Sequence, residues 1–379
     1  MTSTVIASRI TEAREARAMS MEDLAENIGV TRQSVSKYEK GIVNPSPEIL
    51  QAISYALSFP TEFFYKTEQK TLAGSSPLFF RSNSNIAKKV KNACKYQIKW
   101  TDEIKKQLER YVDFVERDIP TLDKEYEDLT LEDIEELALT IRKAWGLSDD
   151  PIDDLIGVLE NKGVIVTQFA TSDFCTFKGI GAFSCWKDGT PYILYHSIQK
   201  SAVRTRFSIL HELGHLIMHS SIAEDEAVKK DIVDLADMQA DRFAAAFLLP
   251  ATSFPKDIRS TSLSSLEIVK RKWGAAMSTI IRRCETLDLL TENQINYLKR
   301  QMTTRKYWHK EPLDDILTVA APEMLRDAIY LLVDNKIITP IAFINASGLS
   351  PADLKYICGL PDEFFDGFNQ RKKPILRVI

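Results

Sequence analysis

Residues Phe207–His219 read FSILHELGHLIMH, and the pattern His-Glu-x-x-His at His211, Glu212 and His215 decides what fold must surround it. Residues four apart stand one above the other on a helix, so His211 and His215 can offer two imidazoles to one metal ion. Glu212 lies on the flank of that face, where a carboxylate can take the proton of a metal-bound water during attack on a peptide carbonyl. Phe207, Leu210, Leu213, Ile217 and Met218 supply the apolar contacts of the same helix. Histidine is scarce, five in 379 residues, yet three of the five fall in this stretch, which weighs against a coincidental motif.

A catalytic zinc takes three protein ligands and leaves one position open, so a third ligand must come from elsewhere. Downstream, Asp237–Pro250 (DMQADRFAAAFLLP) reads as a helix ended by its proline, with Asp237 and Asp241 four apart on one face. Ala240, Ala244 and Ala245 allow this helix a close approach, and Gly214 does the same from the other side. His219 is two helical turns from His211, a rise of about 12 Å, too far to share its metal. It could instead stabilise an oxyanion, but reads rather as an ordinary helix-end histidine favoured by the helix dipole.

Upstream of the motif the period changes from helical to extended. Gly163–Phe169, Gly179–Trp186 and Pro191–His196 are β-rich, the last two joined by a turn at Asp188-Gly189. They predict a small, mainly antiparallel sheet beside the metal helix. Lys178–Ser184 is a candidate edge to which an extended substrate could add as a strand. Tyr192 and Tyr195 are candidate oxyanion donors, and Arg204 and Arg206 are expected to pair with the acidic loop Glu224–Glu226.

Residues 5–66 predict five short helices. Met21, Leu24, Ala25 and Ile28 make one apolar face, Gly29 breaks it, and Thr31 caps a second helix running to Lys40. That is a helix-turn-helix pattern, with Val35 and Tyr38 inward and Arg32, Gln33, Ser34 and Lys37 outward toward bases and phosphates. The stretch LAENIGVTRQSVSKYEKGIVNPSPEILQAISYAL, with the following FPTEFF, resembles the lambda-repressor-like helix-turn-helix family. The resemblance implies a DNA-binding module, usually a homodimer, although residues 1–66 carry seven Lys/Arg against eight Asp/Glu. The positive face is therefore local, on Arg32, Lys37 and Lys40.

RTRFSILHELGHLIMH followed by DMQADRFAAAFLLP resembles the ImmA/IrrE family of zinc metallopeptidases, and members fused to a repressor-like domain are similar along nearly the whole length, through FFR at Phe79–Arg81 and KRKWG at Lys270–Gly274. The resemblance implies Zn2+ held by His211 and His215, Glu212 as general base, and Asp237 where the family usually places a glutamate. Asp is one methylene shorter, so either its helix lies closer to the metal or Glu224 or Glu226 supplies the ligand. Asp241 is expected to accept a hydrogen bond from the distal nitrogen of a ligating imidazole.

Composition frames these motifs. At 44% hydrophobic with 14 Gly and 15 Pro, the chain can bury large cores. The start is charged throughout and no run of eighteen apolar residues occurs, so no membrane partner and a cytoplasmic location are expected. Five scattered cysteines without C-x-x-C spacing predict buried thiols rather than a disulfide or thiolate site. Ile86–Ile119 predicts a helix with Trp100, Ile104, Leu108, Tyr111 and Val115 on one stripe and a solvated lysine face at Lys88–Lys99. Thr130–Trp145 and Ile152–Asn161 add helices, the former opened by a capping box between Thr130 and Asp133. Ser262–Leu290 reads as two helices, Met302–Pro312 as a basic connector, and Pro322–Asp366 as short helices, with SGLSPADLKYICGL shaped like an acidic helix-turn-helix.

The expected fold is α+β and mostly α. Its parts are a helix-turn-helix domain (1–66), a linker (67–84), a helical region (85–150), a zincin-like core (151–255) and a C-terminal helical interaction or sensing region (256–379). The expected function is a zinc-dependent regulatory endopeptidase, and the resemblance implies as its substrate a transcriptional repressor or antitoxin-like protein, cut in stress response, mobile-element control or toxin-antitoxin regulation. Its rival is a helix-turn-helix transcription factor whose zincin domain senses or binds a partner with little peptidase activity.

Overall fold

The computed structural model describes residues 4–67, 76–80, 87–120, 122, 124–169, 177, 180–197, 201–223, 225–227 and 229–366. Four helices open the chain: α1 (Ala7–Ala16), α2 (Met21–Ile28), α3 (Arg32–Glu39) and α4 (Pro47–Leu57), closed by a 3-10 turn at Thr61–Tyr65. Their boundaries follow from local chemistry. Ser20 and Asp23 form a reciprocal capping box, Gly29 ends α2 in the left-handed region (φ 68°), and the Thr31 and Ser46 hydroxyls cap α3 and α4.

Next come α5 (Lys88–Leu108), α6 (Leu131–Ala144) and α7 (Leu155–Glu160), with the Thr130–Asp133 capping box in place. The expected stripe on α5 holds for Trp100, Ile104 and Leu108, but the helix stops there. Tyr111 and Val115 lie beyond it and are exposed, because 112–120 leaves the helix and Asp118 N–H donates to Lys162 O instead. The lysine face is also not wholly solvated. Lys99 is buried, its Nζ 2.9 Å from Glu12 of α1, and Trp100 Nε1 donates to the same carboxylate, so α5 is sewn onto the N-terminal domain.

The sheet contains β1 (Phe79–Phe80), β2 (Ile165–Phe169), β3 (Ala182–Lys187) and β4 (Thr190–His196) in the order β1-β3-β4-β2. β3 pairs antiparallel with both β1 and β4, joined to the latter through Asp188-Gly189, while β2 runs parallel to β4. The sheet is thus mainly antiparallel, as expected, with one parallel edge. The expected free edge at Lys178–Ser184 is not found where it can be seen. Lys178 and Gly179 lie outside the described residues, and Phe183 and Ser184 already pair with Phe80 and Phe79.

After the sheet the chain is helical: α8 (Ala202–Met218), α9 (Lys230–Leu248), α10 (Leu263–Trp273), α11 (Met277–Thr286), α12 (Glu292–Thr304), α13 (Met324–Asp334), α14 (Pro340–Ser347) and α15 (Pro351–Cys358). No helix among the described residues is long and apolar enough to cross a membrane.

Alternation along the strands divides the interior. Ile165, Phe169, Phe183, Tyr192 and Leu194 face one core, shared with α1–α5 and with α13–α15. Val166, Ala182, Ile193 and Tyr195 face a second, built with α6–α12. Four cysteines, Cys94, Cys185, Cys284 and Cys358, are free and buried, and Cys175 lies outside the described residues. A buried triad pins residues 311–314 to α10: Lys270 Nζ lies 2.8 Å from Glu311 and 2.6 Å from Asp314.

Candidate metal centre

α8 and α9 pack side by side because Gly214 faces Ala240, leaving no β-carbon on the α8 side of the contact. This brings together His211, His215 and Asp237, the group of His, Cys, Asp and Glu able to hold a metal among the described residues. The two Nε2 atoms are 3.0 Å apart, and Asp237 Oδ1 is 3.7 Å from the first and 3.4 Å from the second. A tetrahedral zinc bound at about 2.0–2.2 Å separates its ligands by about 3.3–3.5 Å, so this donor set fits the ion. Of the rival ligands, Glu226 pairs with Lys229 in the preceding turn, and Glu224 lies outside the described residues.

Each imidazole is held from behind. His211 Nδ1 lies 2.9 Å from Asp241 Oδ1, and the other Asp241 oxygen is 3.4 Å from Arg282. His215 Nδ1 is 3.0 Å from His219 Nδ1, His219 Nε2 is 2.9 Å from Gln239 Oε1, and Gln239 Nε2 donates to Tyr126 O at 2.7 Å. If His215 Nε2 keeps its lone pair for a metal, Nδ1–H must donate to His219. His219 then donates through Nε2–H to Gln239, so every atom in the chain has one consistent role.

His219 does close α8 as its C-cap, but the expectation that the helix dipole favours it there is corrected. The residue is fully buried, and desolvation, reinforced by His215, holds its pKa well below the ordinary histidine value, so it is neutral rather than dipole-stabilised. Burial also pushes His215 down to about 4. Burial would raise the Asp237 carboxyl, but the hydrogen bonds from His211 and His215 outweigh it and hold that carboxyl well below the usual range.

Glu212 is also fully buried, and its Oε2 accepts from Ser184 Oγ on β3 at 2.7 Å. Trp186 on the same strand donates to Leu216 O, fixing β3 along α8. A cleft of about 1440 Å³ reaches His211, Asp237 and Asp241, bounded by Tyr195 and by the segment Trp308–Val319. Of the two tyrosines singled out, Tyr195 lines this cleft and its hydroxyl accepts from Gln168. Tyr192 points to the opposite core, where it donates to Asp102.

Among the described residues, the expected pairing of Arg204 and Arg206 with the acidic loop is not formed, and Glu224 lies outside them. Arg206 donates to the carbonyls of Ile152 and Asp153, and Arg204 to that of Trp308, so both guanidinium groups are taken up by backbone carbonyls. Sequence reading missed Ser184, Gln239 and Tyr126 as supports of the site. For His219 the signal was present, since it continues the four-residue spacing of His211 and His215. Far from this centre, Arg32, Gln33 and Lys37 stand exposed on α3, with Arg32 2.5 Å from Glu22 and the half-buried Ser34 bonded to the Thr31 cap.

These two regions define the class of protein: a helix-turn-helix DNA-binding domain joined to an IrrE-like metallopeptidase-type domain. Residues 10–64 match the family model described as Helix-turn-helix, and residues 174–285 match a peptidase family model described as IrrE N-terminal-like domain. Among curated proteins, HTH-type transcriptional regulators of Sinorhizobium medicae and Rhizobium meliloti are each 35% identical over 80 residues, 21% of this chain and 58% of theirs. One of Sinorhizobium fredii is 43% identical over 61 residues, 16% of this chain and 43% of its own length. The chain thus spans about half the length of the curated relatives it matches, from 43% to 58%.

Proposed function

We propose that the protein is a zinc-dependent regulatory endopeptidase that carries its own DNA reader and works in the cytoplasm, where that DNA lies. The observation that carries this reading is the convergence of His211, His215 and Asp237 beside a Glu212 fixed by Ser184. His211, His215 and Asp237 would hold the ion, which when bound supplies Lewis acidity and lowers the pKa of a bound water. Glu212 would accept that water's proton and pass it to the leaving amine. Ser184 restricts rotation of the carboxylate, and Asp241 and His219 orient the imidazoles. Arg32, Gln33, Ser34 and Lys37 would meet operator DNA. The substrate class we propose is a repressor or antitoxin-like protein.

A second reading, a transcription factor whose metal domain senses or binds a partner, is favoured by the names of the relatives as transcriptional regulators. Elemental analysis separates the first questions. Near-stoichiometric zinc in the wild type, much reduced in Asp237→Ala, is expected. Wild-type protein that cannot be loaded would sink the peptidase reading. If zinc binds, Glu212→Gln should abolish partner turnover, and unchanged turnover and repression in that variant would favour the sensor.

A further inference from the structure

α14 and α15 reproduce α2 and α3 element for element. In each pair an eight-residue helix ends on a left-handed glycine, Gly29 (φ 68°) or Gly348 (φ 71°), and a second eight-residue helix follows. Met21 corresponds to Pro340 and Arg32 to Pro351, with the same sequence offset for both helices. The connecting residues also correspond: Gly-Val-Thr at 29–31 and Gly-Leu-Ser at 348–350. Side-chain caps recur at matching positions, Ser20 with Thr339 and Thr31 with Ser350, each accepting from the N–H three residues on. So do the core residues: Leu24 with Phe343, Ala25 with Ile344, Val35 with Leu354. Both units start with a longer helix, α1 or α13. Both end on a left-handed cap, an apolar residue, a proline and a 3-10 turn containing Glu-Phe-Phe, at 58–65 and 359–365. The C-terminal unit lacks only a counterpart of α4 as a separate helix.

The chemistry of the reading positions has changed. Arg32, Gln33 and Lys37 correspond to Pro351, Ala352 and Tyr356, which removes the donors to bases and phosphates, and Ser34 corresponds to Asp353, which repels a phosphate. Asp353 is engaged elsewhere. Its two oxygens accept from Arg17 of the N-terminal domain at 2.7 and 2.8 Å. Arg17 also donates to Leu57 O and Ser58 O at the end of α4, and its guanidinium lies 4.3 Å over the Phe59 ring. Beside it, Lys66 Nζ donates to Ala346 O and Ser347 O at the carbonyl end of α14. From the other half of the molecule, Glu160 accepts the Glu323 and Met324 N–H groups at the start of α13.

We propose that residues 324–365 are a second helix-turn-helix unit that no longer reads DNA and instead uses the first turn of α15 to grip the N-terminal reader. Its partner is the reader of the same chain, and its role is to fix that reader on the metal-bearing half with Arg32, Gln33 and Lys37 facing outward. The fixed geometry sets where an operator lies relative to the cleft. The inference stands whether or not the metal site is catalytic.

The test is hydrogen exchange on the full-length protein, in the wild type, Asp353→Ala and Asp353→Glu, each with and without a random-sequence DNA duplex at low salt. Losing one partner of a largely buried ion pair should speed exchange in α14–α15 and at Leu57–Phe59 by about tenfold or more in Asp353→Ala. α8–α9 should stay unchanged, which shows that the variant is folded, and Asp353→Glu should restore most of the protection. The duplex should protect α3 and leave α15 as it was. Unchanged exchange in Asp353→Ala would overturn the grip. Protection of α15 by the duplex, or none at α3, would overturn the assignment of α15 as the member of the pair that lost DNA.

Discussion

Replacing Gly214 by alanine probes what would make a short Asp237 sufficient as the proposed third ligand. A β-carbon there would sit 3.2 Å from Ala240 Cα, 3.2 Å from Phe243 Cδ1 and 3.4 Å from Ala240 Cβ. Relaxing to ordinary carbon contacts of about 3.5–4.0 Å makes α9 retreat by about 0.3 Å or more, because two of the three obstacles lie on or beside its backbone. Metal–ligand distances tolerate only about 0.2 Å. Asp237 stands three residues before Ala240 on α9 and moves with it. The Gly214→Ala protein should therefore bind zinc about tenfold to a hundredfold more weakly, or about 1.4–2.7 kcal/mol.

The fold itself should suffer less. Overpacking costs about 1–3 kcal/mol, while replacing a helical glycine by alanine returns about 1 kcal/mol. Competition of apo-protein with a chromophoric chelator measures the affinity, and melting in EDTA measures the fold. Asp237→Glu should weaken zinc alone but partly restore it in the Gly214→Ala background, since the added methylene makes up the retreat. Wild-type affinity in Gly214→Ala, or tighter binding by Asp237→Glu alone, would refute the idea that helix spacing sets this site.

Replacing His219 by leucine should cut zinc affinity about tenfold to a hundredfold, because His215 loses the acceptor for Nδ1–H; nitrogen NMR of the apo-protein should show mixed His215 tautomers in the variant and one in the wild type. Glu160 should oppose folding at neutral pH. Burial raises its pKa from 4.5 to about 7, so its favourable contribution is present below pH 4.5 and is lost as pH rises through 7, about 3 kcal/mol in all. Glu160→Gln should therefore gain stability over the wild type between pH 5 and pH 8, and a pH-independent difference in denaturant midpoint would contradict this. Lys270→Ala leaves Glu311 and Asp314 buried without their cation and should cost about 3–5 kcal/mol, measured by urea unfolding, with Lys270→Met no better.

What could be read in the sequence was what is decided within a few residues. The capping box at Thr130, the Thr31 cap, the turn at Gly29 and the hairpin at Asp188-Gly189 depend on hydrogen bonds and φ preferences inside one turn, and all were legible. So was the His-x-x-x-His face, because helical periodicity alone brings those imidazoles together. The misses share a different cause. Lys99 looked solvated because its partner Glu12 is 87 residues away, and Arg206 looked available for the acidic loop until carbonyls from another segment claimed it. β1 was hidden for the same reason, since a two-residue strand has no period and exists only by pairing with β3.

The sheet with one face in each core also decides how the protein can be cut apart in the laboratory. A fragment carrying only the central portion, with the first hundred residues and the last three helices removed, would turn Ile165, Phe169, Phe183, Tyr192 and Leu194 toward water in a single apolar plane. Such a plane on a twisted sheet that has also lost β1 from its edge is a template for aggregation. The helix-turn-helix half and the metallopeptidase-type half are thus neighbours sharing one wall, and a cut that removes either partner from the sheet uncovers one of its apolar faces.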